Sequence, residues 1–374
     1  MKITYCFKVR SFVLAAALGA GLNFASPAFA ASWIFGPNGE GLTRLETLEG
    51  HDTFGRAIND AGQVAGFAVT AGFGGERAFI TGPNGAGITD LGTLGGSISY
   101  ANDINDAGRV VGYSDTAGGI SHAFITGPDG VGMTDLGTLG GLSSFAFGVN
   151  ATGQVVGHSN TSGGAFHAFI TGPNGVGMTD LGTLGGTSSF AIGLNDAGQV
   201  IGHSTTAAGA SHAFITGPDG VGLTDLGTLG EASINGAGQV AGGFSAPQGM
   251  LHAFITGPNG AGVTDLGTLG GVSSFANGIN DTGQVVGDSD TAGGVRHAFI
   301  TGPNGVGMTD LNSSVDLPDG SVLTAANDIN NQGLVVAVSA IPEPASYALM
   351  LAGLGLIGFM ARRKKSAEIQ VDAI

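Results

Sequence analysis

The sequence predicts an all-β fold, a seven-bladed β-propeller of four-stranded repeats, and three observations carry that prediction. The first is a period. HAFITGP recurs letter for letter at 122–128, 167–173, 212–218, 252–258 and 297–303. The prolines of the fuller series, Pro37, Pro83, Pro128, Pro173, Pro218, Pro258 and Pro303, stand 46, 45, 45, 45, 40 and 45 residues apart. A fixed step of that length marks a repeat architecture in which each unit buries its apolar surface against its neighbours. The second is the pattern inside a unit, which alternates at period two and is cut by turn residues every few positions. The third is that no stretch between the two ends keeps a 3.6-residue apolar spacing for two helical turns.

Within the third unit, HAFIT (122–126) is a short apolar run closed by GPDG, where Pro128 sets φ for the first corner and Gly130 suits the exit. MTDLGTL (133–139) follows with Met133, Leu136 and Leu139 as its apolar positions. SSFAFGVN (143–150) places Phe145, Phe147 and Val149 on one face, as a half-buried strand does. Asn150 opens a turn, Gly153 suits a left-handed position, and QVVGHS (154–159) is the fourth strand. Four short antiparallel strands repeated seven times lead to a propeller, whose radial repetition leaves only short edges. A β-solenoid is the alternative, but it needs distinct caps, and the repeats run from Trp33 to Val338 without them. From motif proline to turn glycine the spacing is 25 residues in five units, 20 from Pro218 to Gly238 and 30 from Pro303 to Gly333, so length is expected to vary in the middle of the blade.

Composition agrees with one large packed body. The 374 residues are 42% hydrophobic and 11% charged, and the 72 glycines recur at fixed repeat positions, as turns require and linkers do not. Residues 31–341 hold five arginines, no lysine and 25 acidic residues, a formal charge of −20. Such a surface repels nucleic acid and anionic lipid. The one cysteine, Cys6, lies before the repeats, so packing and sheet hydrogen bonds stabilise the fold without a disulfide.

Both ends read as addresses. Residues 1–30 carry Lys2, Lys8 and Arg10, an apolar stretch, and the small-x-small pattern Ala28-Phe29-Ala30, which predicts a cleaved secretory signal with the mature chain starting at Ala31. Residues 341–374 begin IPEPAS, continue with the apolar YALMLAGLGLIGFMA (347–361) and reach Arg362-Arg363-Lys364-Lys365. An apolar segment followed by a basic cluster is a stop-transfer arrangement, and two prolines keep the segment before it extended. With Pro342, Glu343 and Pro344 at its core, this end resembles the PEP-CTERM sorting signal of exopolysaccharide-producing Gram-negative bacteria. That resemblance implies processing by an exosortase, transient anchoring in the inner membrane, and a final place at the cell surface or in the extracellular matrix.

The repeat itself, HAFITGP then TDLGTLGG then INDTGQVVG, resembles the HAF repeat of bacterial extracellular proteins over residues 32–339. The resemblance implies secretion and no particular reaction. Two site readings come from the residues. His122, His167, His212, His252 and His297 recur as hydrogen-bonding residues of the repeat; a shared metal ring would be broken by Ser32 and Arg77 in the first two units. The matching aspartates, Asp135 among them, are expected to bond turn backbone. Asp103, Asn105 and Asp106, in NDINDAG (102–108), are weak calcium candidates set against plain Asx turns, with ANDIN (326–330) and DSD (288–290) alongside them. No catalytic residues are assigned. Single-copy departures from the repeat, Arg56, Tyr100, Arg109, Asp115, Asp288 and Arg296, lie scattered along the chain. A non-catalytic binding or structural module is therefore expected, with exosortase and then exopolysaccharide or other surface proteins as partners. The alternative is a secreted polysaccharide-active enzyme working in the propeller channel, which would need two nearby carboxylates.

Overall fold

The computed structural model describes residues 31–49, 52–70, 75–246, 249–318 and 320–340. The signal-cleavage residues Ala28 and Ala30, the sorting motif Pro342, Glu343 and Pro344, and the apolar segment 347–361 lie outside the described residues.

Seven four-stranded antiparallel sheets form a ring, and each is a blade. The inner strands of blades 1 to 7 are Thr53–Ile58, Gly95–Ile104, Gly140–Val149, Gly185–Leu194, Leu229–Ile234, Gly270–Ile279 and Val322–Ile329. Each blade then runs outward through three more strands, as blade 2 does through Val110–Thr116, Ser121–Thr126 and Met133–Asp135. The repeat and the blade are out of phase. HAFIT is the third strand of a blade and the TDL segment its fourth, so the second half of each unit begins the next blade.

This phase closes the ring. Blade 7 takes its two inner strands, Val322–Ile329 and Val335–Ala340, from the end of the repeat region, and its two outer strands, Ala31–Phe35 and Thr43–Arg44, from the start. Ala31 pairs with Ser339 and Phe35 with Val335, and the Trp33 indole donates to Ser339 Oγ at 3.0 Å. The first and last repeats thus share one sheet, as a ring without caps requires.

Because blades stack on both faces, the third strand is apolar throughout. In blade 2, Phe124 packs with Ala57, Ala78 and Ile80 of blade 1, while Ala123 and Ile125 pack with Ala146, Val149 and Phe169 of blade 3. All three are essentially inaccessible. The inner strand reverses the expected facing: Ser144 and Ala146 are fully buried, whereas Phe145 and Phe147 are half-buried. A small residue is needed where the preceding blade approaches closely, and the aromatic rings lie on the more open side. Opposite them, Gly157 lets the backbone pass, since a Cβ there would stand 1.9 Å from the Phe145 carbonyl oxygen. The GPDG turn has the form its residues suggest, with Asp129 at φ 54° and Gly130 at φ 74°.

The length changes fall between blades. The short fifth unit has an inner strand of six residues in place of ten, and the long seventh unit inserts a 3-10 turn, Leu311–Ser313, before the last inner strand. The middle of the repeat, expected to fall inside a blade, is instead the crossing from one blade to the next and the start of its inner strand, and the four-stranded sheet survives either change.

Candidate functional site

The inner strands end in turns around a cavity of about 320 Å³ at one mouth of the central channel, lined by residues from all seven blades. Its first level is asparagine throughout: Asn59, Asn105, Asn150, Asn195, Asn235, Asn280 and Asn330. Each is buried. Each side-chain amide donates to the backbone carbonyl of the corresponding asparagine in the next blade, from Asn59 to Asn105 at 3.0 Å and onward until Asn330 returns to Asn59 at 2.8 Å. The same side chains hold their own turns through the carbonyl oxygen; Asn150 Oδ1 accepts from the N–H groups of Thr152 and Gln154. One residue type thus closes a turn and links two blades, and the seven links form an unbroken circle.

One residue later, at the mouth, stand Asp60, Asp106, Asp196, Asp281 and Asn331. Each accepts a backbone N–H from the preceding blade: Asp106 from Asp60, Asp196 from Ala151, Asp281 from Gly236, Asn331 from Asp281 and Asp60 from Asn331. The distances are 2.8–2.9 Å.

Two residues before the asparagine, two blades carry a carboxylate. Asp103 accepts from the N–H groups of Ile104 and Val149, both at 2.8 Å, and Asp328 accepts from Ile58 at 3.0 Å. Both line the cavity and are half-buried. Burial pushes Asp103 up to about 7, opposed by the N–H bonds and reinforced by the charge of Asp328. Burial likewise pushes Asp328 up to about 6.

Three residues before the asparagine the wall changes character around the ring: Arg56, Asn102, Phe147, Ile192, Asn277 and Asn327 in blades 1, 2, 3, 4, 6 and 7. Arg56 donates to Asn102 Oδ1 at 3.0 Å, and the amides of Asn102 and Asn277 each donate to a carbonyl of the next blade. Phe147 stacks on His158, with ring centroids 5.3 Å apart and planes at 20°. His158 is also ringed by Phe145, Phe166 and Phe190, and this apolar burial lowers its basicity to about 4, keeping it neutral.

The repeated histidines lie far outside the channel. His122 Nδ1 bonds Asp135 at 2.8 Å, and His167, His212, His252 and His297 bond Asp180, Asp225, Asp265 and Asp310 in the same way. Each aspartate also accepts a turn N–H, as Asp135 does from Gly137. Hydrogen bonding to His212 and Gly227 holds Asp225 below the usual carboxylate range. These pairs join the third strand to the fourth inside one blade.

The calcium candidates are engaged separately: Asp103 with two backbone N–H groups, Asn105 in the amide ring, Asp106 with Asp60 at the mouth. Among the described residues no three His, Cys, Asp or Glu side chains gather as a metal-binding group. Of the single-copy residues, only Arg56 joins the cavity wall. Tyr100 is pushed up to about 12 by burial and a bond to Glu76; Asp115 accepts from Ser121 at 2.7 Å; Asp288 pairs with Arg296. The Arg109 backbone N–H donates to Asn105. Sequence reasoning read Asn150 as a turn opener and Asn105 as a weak calcium candidate, took Phe147 only as a strand-face residue and Asp328 only as part of the calcium cluster ANDIN, and passed over Ile192. A signal was present in the asparagines, which stand at one repeat position in all seven units.

Residues 340–364 match the PEP-CTERM protein-sorting motif. The motif marks an exported protein that is anchored in the membrane before an exosortase processes it. No curated protein sequence matches the chain. Among solved structures, the β-propeller domain of the Trilobed protease from Pyrococcus furiosus is similar in fold, with a TM-score of 0.52, 11% identity, and coverage of 79% of this chain and 95% of that one. That propeller is described as having an open velcro topology, whereas here strand pairing closes the ring. A putative TolB from Agrobacterium tumefaciens matches with a TM-score of 0.47 and 12% identity, over 84% of this chain and 99% of that one. Dipeptidyl peptidase 4 from Porphyromonas gingivalis matches with 0.44 and 9%, over 71% of this chain and 47% of that one. At these identities the likeness concerns the fold alone.

Proposed function

We propose that this exported, exosortase-processed propeller is a non-catalytic binding and structural module of the cell surface or extracellular matrix, with exopolysaccharide as its partner. One observation carries the reading. All six carboxylates lining the cavity, Asp60, Asp103, Asp106, Asp196, Asp281 and Asp328, accept backbone N–H groups and so tie the wall together. Each so commits one oxygen, and Asp103 both, to backbone N–H groups that hold the turns and blades in place, a structural duty that accounts for these carboxylates without a reaction. The resemblance of the repeats to HAF-type extracellular proteins and the sorting motif both support the location.

The exported protein should co-sediment with exopolysaccharide from the producing cells and leave its chain length unchanged. Absence from the polysaccharide pellet contradicts the binding role. Intact-mass analysis of surface material should show processed ends; a species retaining both residues 1–30 and the Arg362 cluster contradicts the processing.

A second reading rests on Asp103 and Asp328, whose raised proton affinity on one channel wall is what a general acid requires. It predicts shortening of the polysaccharide that Asp103→Asn abolishes.

A further inference from the structure

Resting on the proposed binding role, we infer that the channel-mouth cavity is a saccharide site that takes amino-sugar or neutral units and rejects uronates. The cavity, about 320 Å³, is at the small end of ligand-pocket sizes and fits a short glycan segment rather than a protein loop. Its wall is two-sided at the level of the single-copy residues. Blades 3 and 4 contribute Phe147 and Ile192, and blades 6, 7, 1 and 2 contribute Asn277, Asn327, Arg56 and Asn102. A pyranose has the matching division, with an apolar face of C–H groups and an equator of hydroxyls. An aromatic ring covers the first and amides bond the second.

The platform is preorganised. Stacking on His158 fixes the Phe147 ring, and burial among phenylalanines keeps His158 uncharged, so the platform is held at neutral pH. The amide ring between this level and the mouth forms a rigid collar, because every asparagine in it is bonded to the next blade. Charge then selects the ligand. Four aspartates, Asp60, Asp106, Asp196 and Asp281, stand at the mouth against one guanidinium deeper in, so a uronate meets like charge on entering and a free amino group meets opposite charge.

The structure also supplies a way to remove the charge while keeping the fold. At the mouth position Asn331 does what the aspartates do, its Oδ1 accepting the Asp281 N–H at 2.9 Å. A variant with Asp60→Asn, Asp106→Asn, Asp196→Asn and Asp281→Asn therefore keeps the interblade bonds and loses four charges.

The test is calorimetric titration of the exported protein with glucosamine oligomers, N-acetylglucosamine oligomers and galacturonate oligomers. Glucosamine oligomers should bind most tightly, the acetylated series more weakly, and galacturonate not at all. Phe147→Ala should weaken binding at least tenfold, Phe147→Tyr should retain it, and Leu142→Ser, an exposed change at the far end of the same strand, should leave it unaltered. The fourfold asparagine variant should lose the preference for the free amine, which keeps the test open if Phe147→Ala fails to fold. Galacturonate binding as tightly as glucosamine, or Phe147→Ala and the fourfold variant both binding as the parent does, overturns the site. No oligosaccharide binding with co-sedimentation retained overturns the site and leaves the module; loss of both overturns both.

Discussion

Two levels of one channel, three residues apart on the inner strands, follow opposite rules. At the level of Asn150 every blade carries the same residue, and the seven amides close a circle of hydrogen bonds. At the level of Phe147 the blades differ, with arginine, amide, aromatic and aliphatic side chains taking successive places. A position identical in every blade serves what every blade must do, which is to hold its neighbour. A position free to differ is where a ring of equivalent units acquires a direction and a ligand. Changing the first level should therefore cost stability, and changing the second should cost binding.

The largest effect comes from breaking the circle itself. Deleting one complete repeat, 167–211, removes Asn195 and leaves six blades to close a seven-blade geometry. We expect loss of the cooperative melt. A deletion variant that melts unchanged with a proportionally shorter scattering profile would show that the units stack linearly.

Asn195→Ala is the sharper cut. It leaves the N–H and the side-chain oxygen of Gln199 without their Asn195 partner, while the Asn235 carbonyl loses the amide and keeps the N–H of Gly238. Buried groups so orphaned cost about 1–3 kcal/mol each, so thermal or denaturant unfolding should show a loss of about 2–5 kcal/mol. A change under about 0.5 kcal/mol would mean that the amide circle is incidental.

Third comes pH. Asp103 and Asp328 have folded pKa values near 7 and 6, above the ordinary value of 3.8, so the folded state binds more protons than the unfolded one between about pH 4 and 7. Their contribution therefore opposes folding at high pH and fades as pH falls through 7 and 6. Comparing parent with the Asp103→Asn, Asp328→Asn double variant between pH 8 and 5 isolates the pair. The stability of the parent relative to the variant should rise toward pH 5; a constant difference contradicts the assignment.

The outer histidines complete the contrast with the smallest effect. The His212–Asp225 pair is open to solvent on the rim of its blade, and such pairs contribute about 0–1 kcal/mol. His212→Ala should shift the melting temperature by no more than a degree or two, read by calorimetry, and leave binding intact.

What was legible in the sequence follows the same division. The period and the turn residues specify the blades, because Gly130 and Gly153 each meet a local backbone need that shows in single positions. Closure could be foreseen from seven units without caps. Its register could not, because the pairing of Ala31 with Ser339 spans the whole chain. The facing of the inner strand was misread at Phe145 and Phe147 since periodicity assumes one covered face, and a propeller blade has two. Phe147 and Ile192 carried no motif and Asp328 stood only in a calcium-like cluster; they form a site only once the ring brings blades 3, 4 and 7 around one cavity.

One measurement addresses both levels at once: thermal melts of the parent, Asn195→Ala and Phe147→Ala, each with and without glucosamine oligomers. Ligand bound to the folded state raises the melting temperature by an amount that grows with the logarithm of ligand concentration over Kd. Asn195→Ala should melt several degrees lower while keeping the ligand-dependent increment, and Phe147→Ala should melt near the parent and lose the increment. If instead Asn195→Ala loses the increment at unchanged stability, or Phe147→Ala keeps it in full, the division of the channel into a structural level and a binding level is wrong.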